Sequence, residues 1–230
     1  MSRQIVDYIF LSLGACVLVA AFIASGISKE IFFIFFGAED SLIENATAIL
    51  LACAGIVLWM RVLPARTTLS RMAIILGVIY GLAYIWAGGE EISWGQRIIG
   101  FESPEYFQEN NDQQEFTFHN LVIGDVKLDE LLFGPVLSYI ILSYLLILPV
   151  MWRKLDWVKS VTNAMVIPVP RLHHAAFALV VTLIIPTLDE SRRWEVYECI
   201  FALLSLGIFI NPANPLHQPA PRNEPSEMAW

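Results

Sequence analysis

Charge is sparse in this sequence. Only 16% of its 230 residues are charged, 57% are hydrophobic and the mean hydropathy is +0.61. A chain with so little polar surface cannot enclose itself in water, so a soluble globule is excluded and lipid becomes the solvent for most of its length. Cysteine is scarcer still. Cys16, Cys53 and Cys199 stand far apart in apolar segments without CxxC spacing, which argues against a cysteine metal site or redox pair. Local signatures of common chemistries are missing too: there is no HExxH, no ExxH pair, no GxSxG, no P-loop and no GxGxxG. A net charge of −8 gives no reason to expect a nucleic-acid partner.

What is present is a series of apolar runs, at about 5–27, 42–63, 70–88, 131–151, 174–188 and 195–211. A bilayer span takes about 20 mostly apolar residues. The runs therefore predict a single all-α membrane domain over 1–211, a polytopic bundle of about six transmembrane helices. The fifth run is short and contains Pro186, which predicts a tilt or a kink. Leu13-Gly14-Ala15-Cys16 imitates a lipoprotein cleavage box, but the apolar run continues past it, as a retained helix would. Five prolines between 212 and 230 predict an extended or disordered cytoplasmic tail.

The basic residues separate by side. Arg3, Arg61, Arg66, Arg71, Arg153, Lys154, Lys159, Arg171 and Arg222 fall on one side of this topology with four acids. The other side holds five bases and eighteen acids. Positive charge marks the cytoplasmic face, so the expectation is a multi-pass protein of the cell inner membrane with both termini cytoplasmic and an acidic outer face.

One connection is long. Residues 89–130, between the third and fourth spans, carry ten acids against Arg97 and Lys127. The segment Glu90–Ile99 reads as a helix continuing from the third span along the interface, with Glu90, Trp94 and Arg97 on one face and a Glu90–Arg97 pair. Ser103-Pro104-Glu105 reads as a new helix start, with Ser103 as cap and Tyr106 and Phe107 as surface anchors.

The same topology brings acids at the outer ends of several spans to one level: Glu39, Asp40 and Glu44; Glu90 and Glu91; Asp189, Glu190, Glu195 and Glu198. Some have local explanations. Ser41-Leu42-Ile43-Glu44 matches a capping box, and Asp189, Ser191 and Glu195 suit the start of the sixth helix. Glu198 lies a turn deeper, where capping no longer accounts for it. Ionisable groups this near hydrocarbon normally face an interior or a wet cavity. Glu90, Glu91, His119 and Arg97 are accordingly candidate catalytic residues, with Trp94, Gln96 and Asn120 as candidate substrate contacts. Glu44, Glu91, His119 and Glu198 are candidate ligands for a divalent metal, since imidazole with carboxylates suits zinc, iron or manganese. His119 also suits proton shuttling.

Glu-Glu-Ile-Ser-Trp-Gly-Gln-Arg at 90–97, followed by Ser-Pro-Glu-Tyr-Phe and Phe-His-Asn-Leu, resembles a signature of uncharacterised bacterial multi-pass membrane proteins. The resemblance covers mainly 88–121 and implies no established activity. Glu44-Asn45 near a helix start is also similar to membrane hydrolases of the alkaline ceramidase type. Those need several intramembrane histidines, so no residue is carried over from them.

Three functions are compatible with these residues. One is a membrane-embedded enzyme acting on a lipid or lipid-linked substrate at the outer interface, with an anionic head group on Arg97. The second is a non-catalytic subunit or assembly factor whose acidic face binds a basic protein partner or cations. The third is a transporter, which would want ionisable groups near the bilayer middle.

Overall fold

The computed structural model describes residues 3–216, and the proline-rich segment from 217 onward lies outside them. Eleven helices make up most of the described chain: α1 (Arg3–Ile27), α2 (Lys29–Phe32), α3 (Leu42–Val62), α4 (Arg71–Glu91), α5 (Gln96–Ile99), α6 (Glu105–Asn110), α7 (Leu137–Leu142), α8 (Leu148–Lys154), α9 (Asp156–Ala164), α10 (Leu172–Ile184) and α11 (Arg193–Ile210). A two-residue antiparallel ribbon, β1 (Val122–Ile123) with β2 (Val126–Lys127), turns at Gly124.

Four helical stretches are long and apolar enough to cross a membrane: Gln4–Ile27, Lys29–Val62, Arg71–Glu91 and Asp129–Lys154. Two are composite. A π-helical turn at Phe33–Gly37 extends α2, and π-helical turns at Asp129–Val136 and Ser143–Ile147 flank α7 on the way to α8. Pro135 lies inside the first of these and Pro149 just beyond the second. Proline lacks an N–H and crowds the preceding turn, and a widened turn absorbs both faults. In the same way α10 tightens into a 3-10 turn, Ile185–Thr187, at Pro186.

The core is organised around α11, whose Val196, Cys199, Ile200 and the run Ala202–Phe209 are buried on every side of the helix. Burial all round marks a helix enclosed by other helices, here α1, α3 and α10. The closest helix pair is α3 with α4, where small residues let the backbones approach. A Cβ added to Gly55 would stand 2.5 Å from the carbonyl oxygen of Gly81. That approach brings the start of α3 beside the end of α4.

The long connection departs from the expected interfacial helix. α4 stops at Glu91, and Ser93, Trp94 and Gly95 all adopt positive φ, at 47°, 55° and 74°. This left-handed kink leaves α5 only four residues long. Ser103 does not cap α6; its hydroxyl donates to Gln114 O at 2.8 Å and also contacts Gln96 Oε1. Phe107, expected to anchor at the surface, is buried against Phe116 and Phe118, while Tyr106 is exposed. At the other end of the chain, the expected disorder does not begin at Asn211. Asn211 and Asn214 are buried, and Asn214 Oδ1 accepts the N–H of Val169 at 2.8 Å.

Enlarging Gly55 tests the α3–α4 contact. Gly55→Val is expected to cost about 1–3 kcal/mol of stability through overpacking. Gly26→Val, at a position with nothing within 4 Å, should leave thermal unfolding in detergent unchanged.

Candidate functional site

α4 delivers two adjacent acids at its end, and they point different ways because neighbours on a helix diverge by about 100°. Glu90 is buried and turns toward the loop. Its Oε1 accepts Trp94 Nε1–H at 2.7 Å, and its Oε2 accepts the backbone N–H groups of Phe118 at 2.6 Å and His119 at 3.0 Å. His119 Nδ1 lies 3.2 Å from the same oxygen. Both oxygens of Glu90 are thus engaged, and the residue clamps the loop to the helix.

The neighbouring polar residues share that task. Ser93 Oγ donates to Glu115. Gln96 Oε1 accepts the N–H of Phe116 at 2.8 Å. Asn120 donates to Gln113 Oε1 at 2.8 Å, and its carbonyl accepts the N–H of Asp112 at 2.9 Å.

Arg97 does not pair with Glu90. Its Nε donates to Asp40 Oδ2 at 2.8 Å and its Nη1 to Glu115, with Glu39 and Glu44 at 3.7 and 3.6 Å. Burial works against the guanidinium charge, and the bonds to Glu115 and Asp40 outweigh it, holding the Arg97 pKa above its ordinary value. With four carboxylates around it, Arg97 ties the loop to the start of α3.

Glu91 is the exception in this segment. It turns toward α11, where its carboxylate meets those of Glu195 and Glu198, and ligand atoms of the three residues lie within 4.8 Å of one another. Glu91 and Glu195 are half-buried and Glu198 is exposed. Arg192 Nε stands 3.4 Å from Glu195 but also donates to Gly37 O at 3.0 Å. Neither Glu91 nor Glu198 has a hydrogen bond or ion pair among the described residues.

Glu44 lies close enough to feel this group, yet its own carboxylate accepts the N–H of Asp40 and faces Arg97. Ser41 does cap α3, accepting the N–H of Glu44 at 3.3 Å. Carboxylates at such spacing can share a counter-charge. An all-oxygen carboxylate set suits a hard divalent cation such as Mg²⁺ or Mn²⁺.

Of the four candidate metal ligands, the fold therefore brings Glu91 and Glu198 together, directs His119 to Glu90 and commits Glu44 to the α3 cap. Glu195 joins in their place. Its signal in the sequence was its i, i+3 spacing from Glu198, hidden by its equally good fit to a helix start. Asp7, His173 and His174, which meet at the opposite end, gave no joint signal, since 166 residues separate Asp7 from His173.

Replacing Glu90 by Gln would put an N–H₂ group where donors converge. Glu90→Gln is expected to destabilise the loop by about 1–3 kcal/mol, read as faster hydrogen exchange at the Phe118 and His119 amides. Unchanged protection there would show that the clamp is dispensable. No known family profile, curated protein or solved structure matches this chain.

Proposed function

We propose that this protein crosses the inner membrane six times with both termini cytoplasmic, and that Glu91, Glu195 and Glu198 hold a divalent cation at its outer end. The site would act on a lipid or lipid-linked substrate. One observation carries the reading: Glu91 is the polar side chain in Glu90–Arg97 that the loop leaves unused, and it meets two further carboxylates.

Six spans are supported by four long apolar helices together with α10 and α11. The first of these two is short, and the second carries Arg193, Glu195 and Glu198. The charges of α11 sit in its first turns, near the end of the helix. Orientation rests on the separation of basic residues already described. Access from lipid is supported by Ile98, Ile99 and Phe101, all exposed beside the kink.

The chemistry follows from the donors. A hard cation on three carboxylates polarises an ester or phosphoryl oxygen. His119, donating Nδ1–H to Glu90, keeps the lone pair on Nε2, the arrangement of an imidazole oriented as a general base. In this reading base and cation work on one substrate. Arg97 ties the loop to the start of α3.

Elemental analysis of protein purified with Mn²⁺ is expected to find a bound divalent cation that is lost in Glu91→Gln and Glu198→Gln and retained in His119→Ala. Wild-type protein with no bound cation, and no stabilisation by Mg²⁺ or Mn²⁺, would overturn the site. For topology, alkaline phosphatase should be active when inserted at Gly124 and inactive when fused after Trp230. The reverse pattern would sink the orientation.

A further inference from the structure

At the end of the molecule opposite the loop, five segments meet around a cavity of about 440 Å³: the start of α1, the end of α8, the start of α10, the strand-like stretch before it and the chain after α11. Its wall includes Asp7, Tyr8, Trp152, Arg153, Arg171 and His173. Asp7 is buried inside an otherwise apolar run. Its Oδ1 accepts Asn211 Nδ2–H at 2.7 Å, and its Oδ2 lies 2.9 Å from His173 Nε2. Arg171 Nη2 donates to Asn211 Oδ1 at 3.0 Å, so the carboxylate, the amide and the guanidinium brace one another.

The three residues Asp7, His173 and His174 have the make-up of a metal site, and their ligand atoms lie within 4.8 Å of one another. Two observations oppose that use. His174 Nδ1 accepts the backbone N–H of Arg171 at 3.2 Å, which puts the ring proton on Nε2, the nitrogen that faces Asp7. A metal needs a lone pair at that atom. The Arg171 guanidinium, with Nε 3.7 Å from Asp7 Oδ2, also places a fixed positive charge beside the carboxylate.

The unmet hydrogen-bonding capacity is mostly that of donors. Trp152 Nε1 and Arg171 Nε are buried in the wall and have no hydrogen-bond acceptor among the described residues, while one acceptor there, Asp7 Oδ2, has no hydrogen-bond donor among them. Arg153, exposed at the cavity, makes no ion pair among them either. Two arginines against one aspartate leave the wall with a net positive charge before His173 is counted. Buried donors without acceptors are costly, and a ligand that supplies several acceptor oxygens and negative charge satisfies them together. The volume falls within the range of small-ligand pockets.

We infer that this cavity binds a phosphate group, with Arg153, Arg171 and the Trp152 indole N–H as its donors and Asp7 as the brace that orients Arg171 and His173. The phosphate belongs either to a lipid head group or to a soluble phosphate. The inference stands apart from the carboxylate site at the other end.

The test uses purified full-length protein in detergent, with inorganic phosphate and phosphatidylglycerol as probes and with thermal stabilisation and native mass spectrometry as readouts. Stabilisation by inorganic phosphate identifies a soluble source, and retention of phosphatidylglycerol without a response to phosphate identifies a head group. Either result supports the site if Arg153→Gln weakens binding about ten-fold or more, while Glu91→Gln does not. The Arg153 side chain makes no hydrogen bond or ion pair among the described residues, so that variant is expected to keep the unliganded melting temperature. Trp152→Phe should weaken binding less. Binding of neither probe, or binding untouched by both Arg153→Gln and Arg171→Gln, overturns the inference. So does a bound transition metal that His173→Ala removes.

Discussion

A single buried carboxylate, Glu90, sets the geometry of the loop-bearing end of this protein. It receives the Trp94 indole, two consecutive backbone N–H groups and the flank of an imidazole from a segment 28 and 29 residues away. Buried ionised groups persist only where such partners surround them. The left-handed run at Ser93–Gly95 is the backbone's answer to that demand. It turns the chain so sharply that Trp94 can reach back to Glu90 while Ser93 and Arg97 reach Glu115. Non-glycine residues at positive φ cost free energy, and the network of loop hydrogen bonds offsets it.

Once Glu90 is committed, its neighbour cannot join it, and the site at α11 follows. The close approach of α3 and α4 at Gly55 and Gly81 then decides which acids share a level, because it leaves no lateral slack between the two helices. α11 carries its two acids into the same space from the enclosed centre of the fold. Packing that is apolar throughout thus positions a polar group at its end.

The two ends use opposite electrostatic logic. At one, Glu91, Glu195 and Glu198 gather negative charge that few local cations meet, which suits a cation. At the other, Trp152 and Arg171 leave N–H groups without a hydrogen-bond acceptor among the described residues, which suits an anion. In both places the informative feature is the partner the polypeptide does not itself supply. Polar atoms away from water are ordinarily paired, so an unpaired group marks where something else is expected to bind.

The long apolar helices and their limits were legible in the sequence, because a span depends on the summed hydropathy of contiguous residues. The expected runs at 42–63 and 70–88 became Leu42–Val62 and Arg71–Glu91, and Pro186 marked the weak point of α10. The prominence of Glu90–Arg97 was legible too, since acids at the end of a span need partners wherever the chain goes. Roles within that segment were not. A continuous helix would have set Arg97 over Glu90, and only the left-handed kink, selected by contacts with residues 115–119, sent Arg97 to Asp40 and left Glu91 to α11. The meeting of Asp7 with His173 and Arg171 was equally hidden, because it depends on how α1 and α10 pack. Local composition determined where this chain is apolar and where it is charged; which charges meet was decided by helix packing and loop closure, which act between residues far apart in sequence.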